Sequence, residues 1–167
     1  SLAIIDAGVW VAGSFSGSGV RFAGVDGVMF EPSGLLPNSV VTAIAVAPNT
    51  DAWISGSTNA LYRYTVDGTS INMGAAFNDD ANKILFHPNG NVYIFGSFTT
   101  PGPHMVVSAD KGTTWVTAAA TGVNGTIEDA TILPDGRIVI VGTFTQAGTV
   151  ACVNAAIYTP TTNTFQP

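Results

Sequence analysis

The hydrophobic residues of this chain fall into short uninterrupted runs paired across tight turns, and that arrangement occurs four times. The copies span residues 3–15, 42–57, 83–98 and 129–144. Each is an apolar strand, a turn, a second apolar strand and a closing glycine followed by a hydroxyl residue and usually Phe. The closing glycines, Gly13, Gly56, Gly96 and Gly142, lie 43, 40 and 46 residues apart, a spacing that holds one small antiparallel sheet per repeat and falls in the range of propeller blades. The turns read Asp6-Ala7-Gly8, Pro48-Asn49-Thr50-Asp51, Pro88-Asn89-Gly90 and Pro134-Asp135-Gly136. Asn-Gly and Asp-Gly take the positive backbone angles of tight hairpins, and a preceding Pro stops the incoming strand. The strands that leave these turns (Val9-Trp10-Val11, Ala52-Trp53-Ile54, Val92-Tyr93-Ile94-Phe95 and Ile138-Val139-Ile140-Val141) have no polar residue on alternate positions. A strand apolar on both faces must be covered on both, as the inner strands of radially packed sheets are by their neighbours. A glycine at the end of each run suits a close backbone approach or a bulge.

A second, weaker hairpin is expected after each first one: Gly27–Phe30 turning at Pro32-Ser33-Gly34, Leu61–Tyr64 turning at Asp67-Gly68, Met105–Val107 turning at Asp110-Lys111-Gly112, and Ala156–Tyr158 turning near Thr161-Thr162-Asn163. Tyr62 and Tyr64 share one face opposite Leu61 and Arg63, the alternation of a strand nearer the rim. No segment has a sustained helical period with caps, so the expected fold is all-β: sixteen strands in four four-stranded antiparallel blades of a β-propeller. The repeats run over about 1–41, 42–82, 83–128 and 129–167 of a single domain, 1–167. Four whole blades with no swapped closing strand leave two arrangements, a closed ring of four, favoured because an open array exposes apolar blade faces at both ends, or a four-blade segment of a larger propeller.

Composition narrows the partners. Only 10% of the 167 residues are charged and the formal net charge is −6, which repels nucleic acid and anionic lipid. Gly, Pro, Asn or Asp interrupts every apolar stretch before it reaches membrane-spanning length. The lone Cys152, between Ala151 and Val153, forms no intrachain disulfide or thiolate cage and reads as a small apolar filler. The first residue is Ser, which leads to the expectation of processing or excision from a longer polypeptide.

Two resemblances follow from particular phrases. Leu133–Phe144 and Phe86–Phe98 resemble the delta-sixty type of propeller repeat, found in phage virion proteins and bacterial surface proteins. Unit one departs from it in lacking the turn Pro, and unit two in lacking the turn Gly and the closing Phe. Ser108-Ala109-Asp110-Lys111-Gly112-Thr113-Thr114-Trp115 resembles the Asp box of sialidases and related propellers. That resemblance implies a structural hairpin in which the Asp ties down turn amides, the Gly takes a left-handed angle and the Trp packs beneath. The repeat resemblance implies a structural or binding role, with no general catalytic residues to carry over.

Candidate chemistry is sparse. A sialidase-like glycosidase, the remote alternative, needs three converging arginines, and Arg21, Arg63 and Arg137 are all the chain has. Arg137 follows a hairpin tip and Arg63 sits on an outer strand, so the expectation is no catalytic set and no enzyme activity. His87 and His104, each beside a proline, read as two surface histidines rather than a metal pair. Glu31 and Glu128 stand alone near hairpin ends. Asn78, Asp79, Asp80 and Asn82 offer oxygen donors without EF-hand spacing. Gly17, Gly19 and Gly24 precede no helix and form no phosphate cradle. No metal and no cofactor is expected.

The connections Ser16–Gly27, Thr99–His104 and Thr145–Asn154 should lie on one side of the sheets, with Phe22 and Met105 as the large apolar residues nearby. No binding residue is assigned from sequence. The leading expectation is a non-enzymatic structural or receptor-binding module of a virus (phage) particle, partnered by other virion proteins or a host-surface glycan or receptor. The alternative is a secreted bacterial surface adhesin or carbohydrate-binding module.

Overall fold

In the computed structural model, residues 2–6, 8–13, 20–24, 26, 28–30, 40–56, 59–65, 67, 69–119 and 121–167 are described. They form four four-stranded antiparallel sheets, here called blades 1 to 4. Blade 1 holds β1 (Leu2–Ile5), β2 (Gly8–Ala12), β3 (Val20–Gly24) and β4 (Met29–Phe30). Blade 2 holds β5 (Val41–Val46), β6 (Ala52–Gly56), β7 (Ala60–Tyr64) and β8 (Ser70–Ala76). Blade 3 holds β9 (Ala81–Phe86), β10 (Val92–Gly96), β11 (Met105–Ser108) and β12 (Val116–Thr117). Blade 4 begins with β13 (Ile127–Ile132) and β14 (Ile138–Gly142); a small hairpin of β15 (Gln146–Ala147) and β16 (Val150–Ala151) intervenes before β17 (Ala155–Thr159) and β18 (Thr164–Gln166).

Two elements differ from expectation. Val20–Gly24, placed in a connection from sequence, is the third strand of blade 1, and Met29–Phe30 is therefore its fourth. The β15–β16 hairpin likewise occupies a segment expected to be connection. Ala7, Gly17, Gly19, Glu31 and the turn Pro32-Ser33-Gly34 lie outside the described residues.

The three hairpin tips of blades 2 to 4 share one hydrogen-bond pattern. Thr50, Gly90 and Gly136 each donate their amide to the carbonyl three residues back, on Ala47, His87 and Leu133, at 2.9 Å in every case. All three have positive φ, at 72°, 90° and 84°. The tip of blade 2 thus keeps the geometry without the glycine, and Thr50 takes the left-handed angle instead.

The closing glycines sit where the backbone is most crowded. A Cβ on Gly96 would stand 2.1 Å from the Asp80 carbonyl oxygen, and one on Gly142 would stand 2.1 Å from that of Thr126. The ladder shifts register beside them, between Phe95 and Gly96 and between Ile127 and Asp129. Close approach and bulge therefore occur together.

Blades pack face to face in chain order. Trp10, Ala12, Val20 and Phe22 of blade 1 meet Val41, Ala52, Ile54 and Tyr64 of blade 2. Trp53 and Leu61 on the other face of blade 2 meet Ile84, Val92, Ile94 and Val106 of blade 3. Tyr93, Phe95 and Met105 then meet Ala130, Ile138, Ile140, Ala156 and Tyr158 of blade 4, with Cys152 buried in the same cluster. Strands β6 and β10 are apolar on both sides because each serves two interfaces. Side chains tie the inner strands across blades: Thr42 Oγ1 donates to the Ala81 carbonyl at 2.6 Å and Asn82 Nδ2 donates to that of Ile127 at 2.9 Å.

The inner strands β1, β5, β9 and β13 pack consecutively, and no comparable packing joins β13 back to β1 among the described residues. Ile4 on β1 is 78% exposed and Val141 on β14 is 40% exposed, as faces without a neighbour would be. Among the described residues the blades form an open series, a propeller-like segment of four, and not the closed ring that the sequence favours.

Candidate functional site

A concavity lined on both sides by hairpin tips lies between blades 2 and 3. It is a cleft of about 260 Å³ whose floor includes Trp53 and Phe86, with ring centroids 5.2 Å apart and planes perpendicular. Ala47 and Pro48 wall it from the tip of blade 2, while His87, Gly90 and Asn91 wall it from the tip of blade 3. Arg63 and Lys111 complete its rim.

Each wall has a local cause. Arg63 points its Nε at Asp51 Oδ2, 3.3 Å away, an ion pair not aligned as a hydrogen bond; Asp51 is itself buried and also accepts from Asn49 Nδ2 at 2.8 Å. His87 spans two tips: Nδ1 accepts the Asn89 amide at 3.1 Å, so Nε2 carries the proton and donates to the Gly136 carbonyl of blade 4 at 2.7 Å. Lys111 has φ +57° and no ion-pair partner among the described residues.

Lys111 owes its position to the turn around it. Ser108, buried, donates from Oγ to Asp110 Oδ1 at 2.7 Å and accepts the Gly112 amide at 2.7 Å. Asp110 in turn accepts the Thr114 amide at 2.8 Å and the Thr114 hydroxyl at 2.7 Å. These bonds, those from Thr114 first, hold the Asp110 carboxyl down at about 2. Gly112, at φ +87°, lies against the six-membered ring of the Trp53 indole of the neighbouring blade; a Cβ there would come within 2.6 Å of the ring. The outer turn of blade 3 is thus seated on the core of blade 2, and the cleft opens beside that seat.

The residues singled out from sequence are scattered. Arg21 is on β3, Arg63 on β7 and Arg137 at the tip of blade 4, where its Nε pairs with Asp135 at 2.8 Å. His87 and His104 are half-buried rather than surface groups, at opposite ends of blade 3; His104 Nδ1 lies 3.2 Å from the Gly96 carbonyl. Phe22 and Met105 are core residues, not surface anchors. Asn78, Asp79 and Asn82 diverge: Asn78 binds the Thr99 and Thr100 amides, Asp79 accepts the Asp80 amide, and Asn82 reaches blade 4. Glu128 is exposed on β13. Among the described residues no three His, Cys, Asp or Glu side chains cluster as metal ligands.

The cleft lies at the end opposite to the connections Thr99–His104 and Thr145–Asn154, on which sequence reasoning places recognition. Its components, a turn lysine, an outer-strand arginine and a core tryptophan, come from two repeats, and only the packing of blades brings them together.

A model of a β-propeller domain of unknown function, DUF5122, matches residues 133–156. No curated protein matches the chain. Among solved structures, the extracellular domain of BT4673 from B. thetaiotaomicron, assigned to the hybrid two component systems, superposes over 99% of this chain and 21% of its own, with TM-score 0.69 and 14% identity. PorZ, a surface component of the type-IX secretion system of Porphyromonas gingivalis, superposes over 95% of this chain and 24% of its own, with TM-score 0.64 and 13% identity. YCF48 bound to D1 peptide superposes over 95% of this chain and 50% of its own, with TM-score 0.59 and 17% identity. The chain spans about a fifth of the BT4673 structure's length and half of YCF48's. These similarities establish a β-propeller fold.

Proposed function

We propose that the chain is a non-enzymatic recognition module of a secreted or surface-attached bacterial protein, with its ligand held in the cleft between blades 2 and 3. The observation that carries this reading is convergence of charge. The chain has five Lys and Arg residues and formal charge −6, yet two of the five cations, Lys111 and the Asp51-paired Arg63, line one small cleft over aromatic rings, with no carboxylate among its described lining residues. Concave sites with an apolar lining and a few polar groups are where proteins bind small molecules.

The structural neighbours favour a surface module over a phage particle, since two of them are described as an extracellular domain and a surface component. The scatter of Arg21, Arg63 and Arg137 over three blades supports binding without turnover. The Ser108–Trp115 turn, which resembles an Asp box, supports a scaffold role for that segment.

Surface protease treatment of intact cells of the native organism, followed by mass spectrometry, tests the location. Peptides of this chain are expected in the shaved fraction. Recovery from purified phage particles instead, or turnover of a glycoside panel that disappears with Arg63→Ala, would overturn the reading.

A further inference from the structure

We propose that the cleft between blades 2 and 3 takes a ligand built of one apolar ring and a carboxylate, the ring beside Trp53 and Phe86 and the carboxylate beside Lys111 and Arg63. The inference rests on placing recognition in this cleft and adds the chemical class of what enters it.

Size sets the first limit. A dry cavity of about 150 Å³ suffices for benzene, and the cleft holds about 260 Å³. One six-membered ring with a short acidic arm fits; two separate rings do not. The lining sets the second. Ala47, Pro48, Trp53, Phe86 and Val92 offer carbon surface, and the polar groups among them are mostly engaged within the protein. The Asn49 amide donates to Asp51, Asn91 Nδ2 lies 3.5 Å from the Tyr93 hydroxyl, and both ring nitrogens of His87 have backbone partners. A polyhydroxylated sugar needs many free donors and acceptors around its ring, and a site that leaves its hydroxyls unpaired disfavours it.

Charge sets the third. Lys111 is exposed, has no carboxylate partner among the described residues and stands on a turn fixed by Ser108 and Asp110. Arg63 has its Nε 3.3 Å from the buried Asp51, which offsets part of its charge, so Lys111 is the stronger attraction for an anion at this rim. A carboxylate placed at this rim meets one uncompensated cation and one partly offset one, while an uncharged analogue meets the same carbon surface without that gain. The same chemistry has two sources, a free aromatic acid or the C-terminal aromatic residue of a peptide.

The test is a titration of isotope-labelled protein followed by amide and indole shifts, with phenylacetate, N-acetyl-L-phenylalanine, N-acetyl-L-phenylalaninamide and glucuronate as probes. The two aromatic acids are expected to shift Gly90, Asn91, Lys111, Gly112 and the Trp53 indole, with dissociation constants on the order of 1 mM for ligands of about ten to fifteen heavy atoms. The amide should bind about tenfold more weakly or worse. Lys111→Asn suits the left-handed backbone angle at this position. It should weaken the acids about fivefold and leave the amide unchanged. Tighter binding of N-acetylphenylalanine than of phenylacetate points to a peptide terminus, and the reverse to a free acid.

Equal binding of acid and amide, preference for glucuronate, shifts confined to other residues, or no effect of Lys111→Asn would overturn the proposal. If every probe fails while the chain is still found at the cell surface, the ligand class falls and the surface reading stands. If the acids bind but the chain is found in phage particles, the opposite holds.

Discussion

At Gly96 the methyl group of an alanine would meet backbone, not a side chain that can swing away: the Asp80 carbonyl oxygen at 2.1 Å and the Ala81 Cα at 2.8 Å. Overpacking of this kind costs about 1–3 kcal/mol. For a domain of this size each kcal/mol lowers the melting temperature by about 2–4 °C. Gly96→Ala is therefore expected to melt several degrees below the parent in a calorimetric scan, and an unchanged melt would contradict the crowded bulge. Asp110 offers a second residue-level test. Its folded-state carboxyl is held down at about 2 against an ordinary 3.8, chiefly by the Thr114 amide and hydroxyl. A depressed carboxyl contributes stability that is present above the ordinary value and lost as pH falls through the folded one. The stability difference between parent and Asp110→Asn should thus be largest above pH 4 and shrink between about pH 4 and pH 2. A difference independent of pH in urea titrations would mean that the carboxylate charge is irrelevant to the turn.

Between strands, two asparagines perform one repeated task. Asn78 Oδ1 accepts the amides of Thr99 and Thr100 at 2.8 and 3.0 Å while Nδ2 donates to Thr99 Oγ1 at 2.8 Å. Asn124 does the same with Thr145 and Gln146, at 3.0, 2.9 and 2.9 Å. Each clasps the loop after its blade's second strand to the segment that enters the blade. Asn78→Ala removes the partner of two amides and should cost about 1–2 kcal/mol. Asn124→Ala should cost a similar amount, and the double variant should be additive across two blades. Marked non-additivity in denaturant melts would argue against independent clasps. The device has a signature in the sequence, although polar loop residues seldom draw notice. Asn38, Asn78 and Asn124 all stand at the same distance before a closing glycine. The glycine phrase itself is readable because its apolar runs and turn residues are local signals. Strand β3 is hard to see because Val20-Arg21-Phe22-Ala23-Gly24 is short, flanked by glycines and broken by a charge. Its Phe22 is nonetheless core, 4.8 Å from the Trp10 ring.

As a whole, the molecule has three buried interfaces and two faces that no blade covers among the described residues. On β14, Ile138 and Ile140 point into blade 3 and are fully buried, whereas Val141 points away and is 40% exposed. Val141→Lys should change stability by no more than about 0.5 kcal/mol, while Ile140→Lys places a charge in the core and should unfold the blade. Equal and severe losses in thermal melts would show that both faces are covered, as in a closed ring. Sequence alone leaves that choice open because every middle strand is apolar on both sides, including those at the ends of the series. The cleft is illegible for a related reason. Lys111 reads as a turn residue, Arg63 as an outer-strand residue and Trp53 as core, and nothing local says that blade 3 seats its Gly112 against that indole.

That seat decides the matter most directly. Nuclear Overhauser contacts between the Trp53 ring protons and the Gly112 α-protons join blade 2 to blade 3 at the floor of the cleft. Face-to-face packing predicts strong contacts between these protons. If those contacts are missing while contacts within each sheet are retained, the blades do not stand face to face in this order and the cleft between them does not exist.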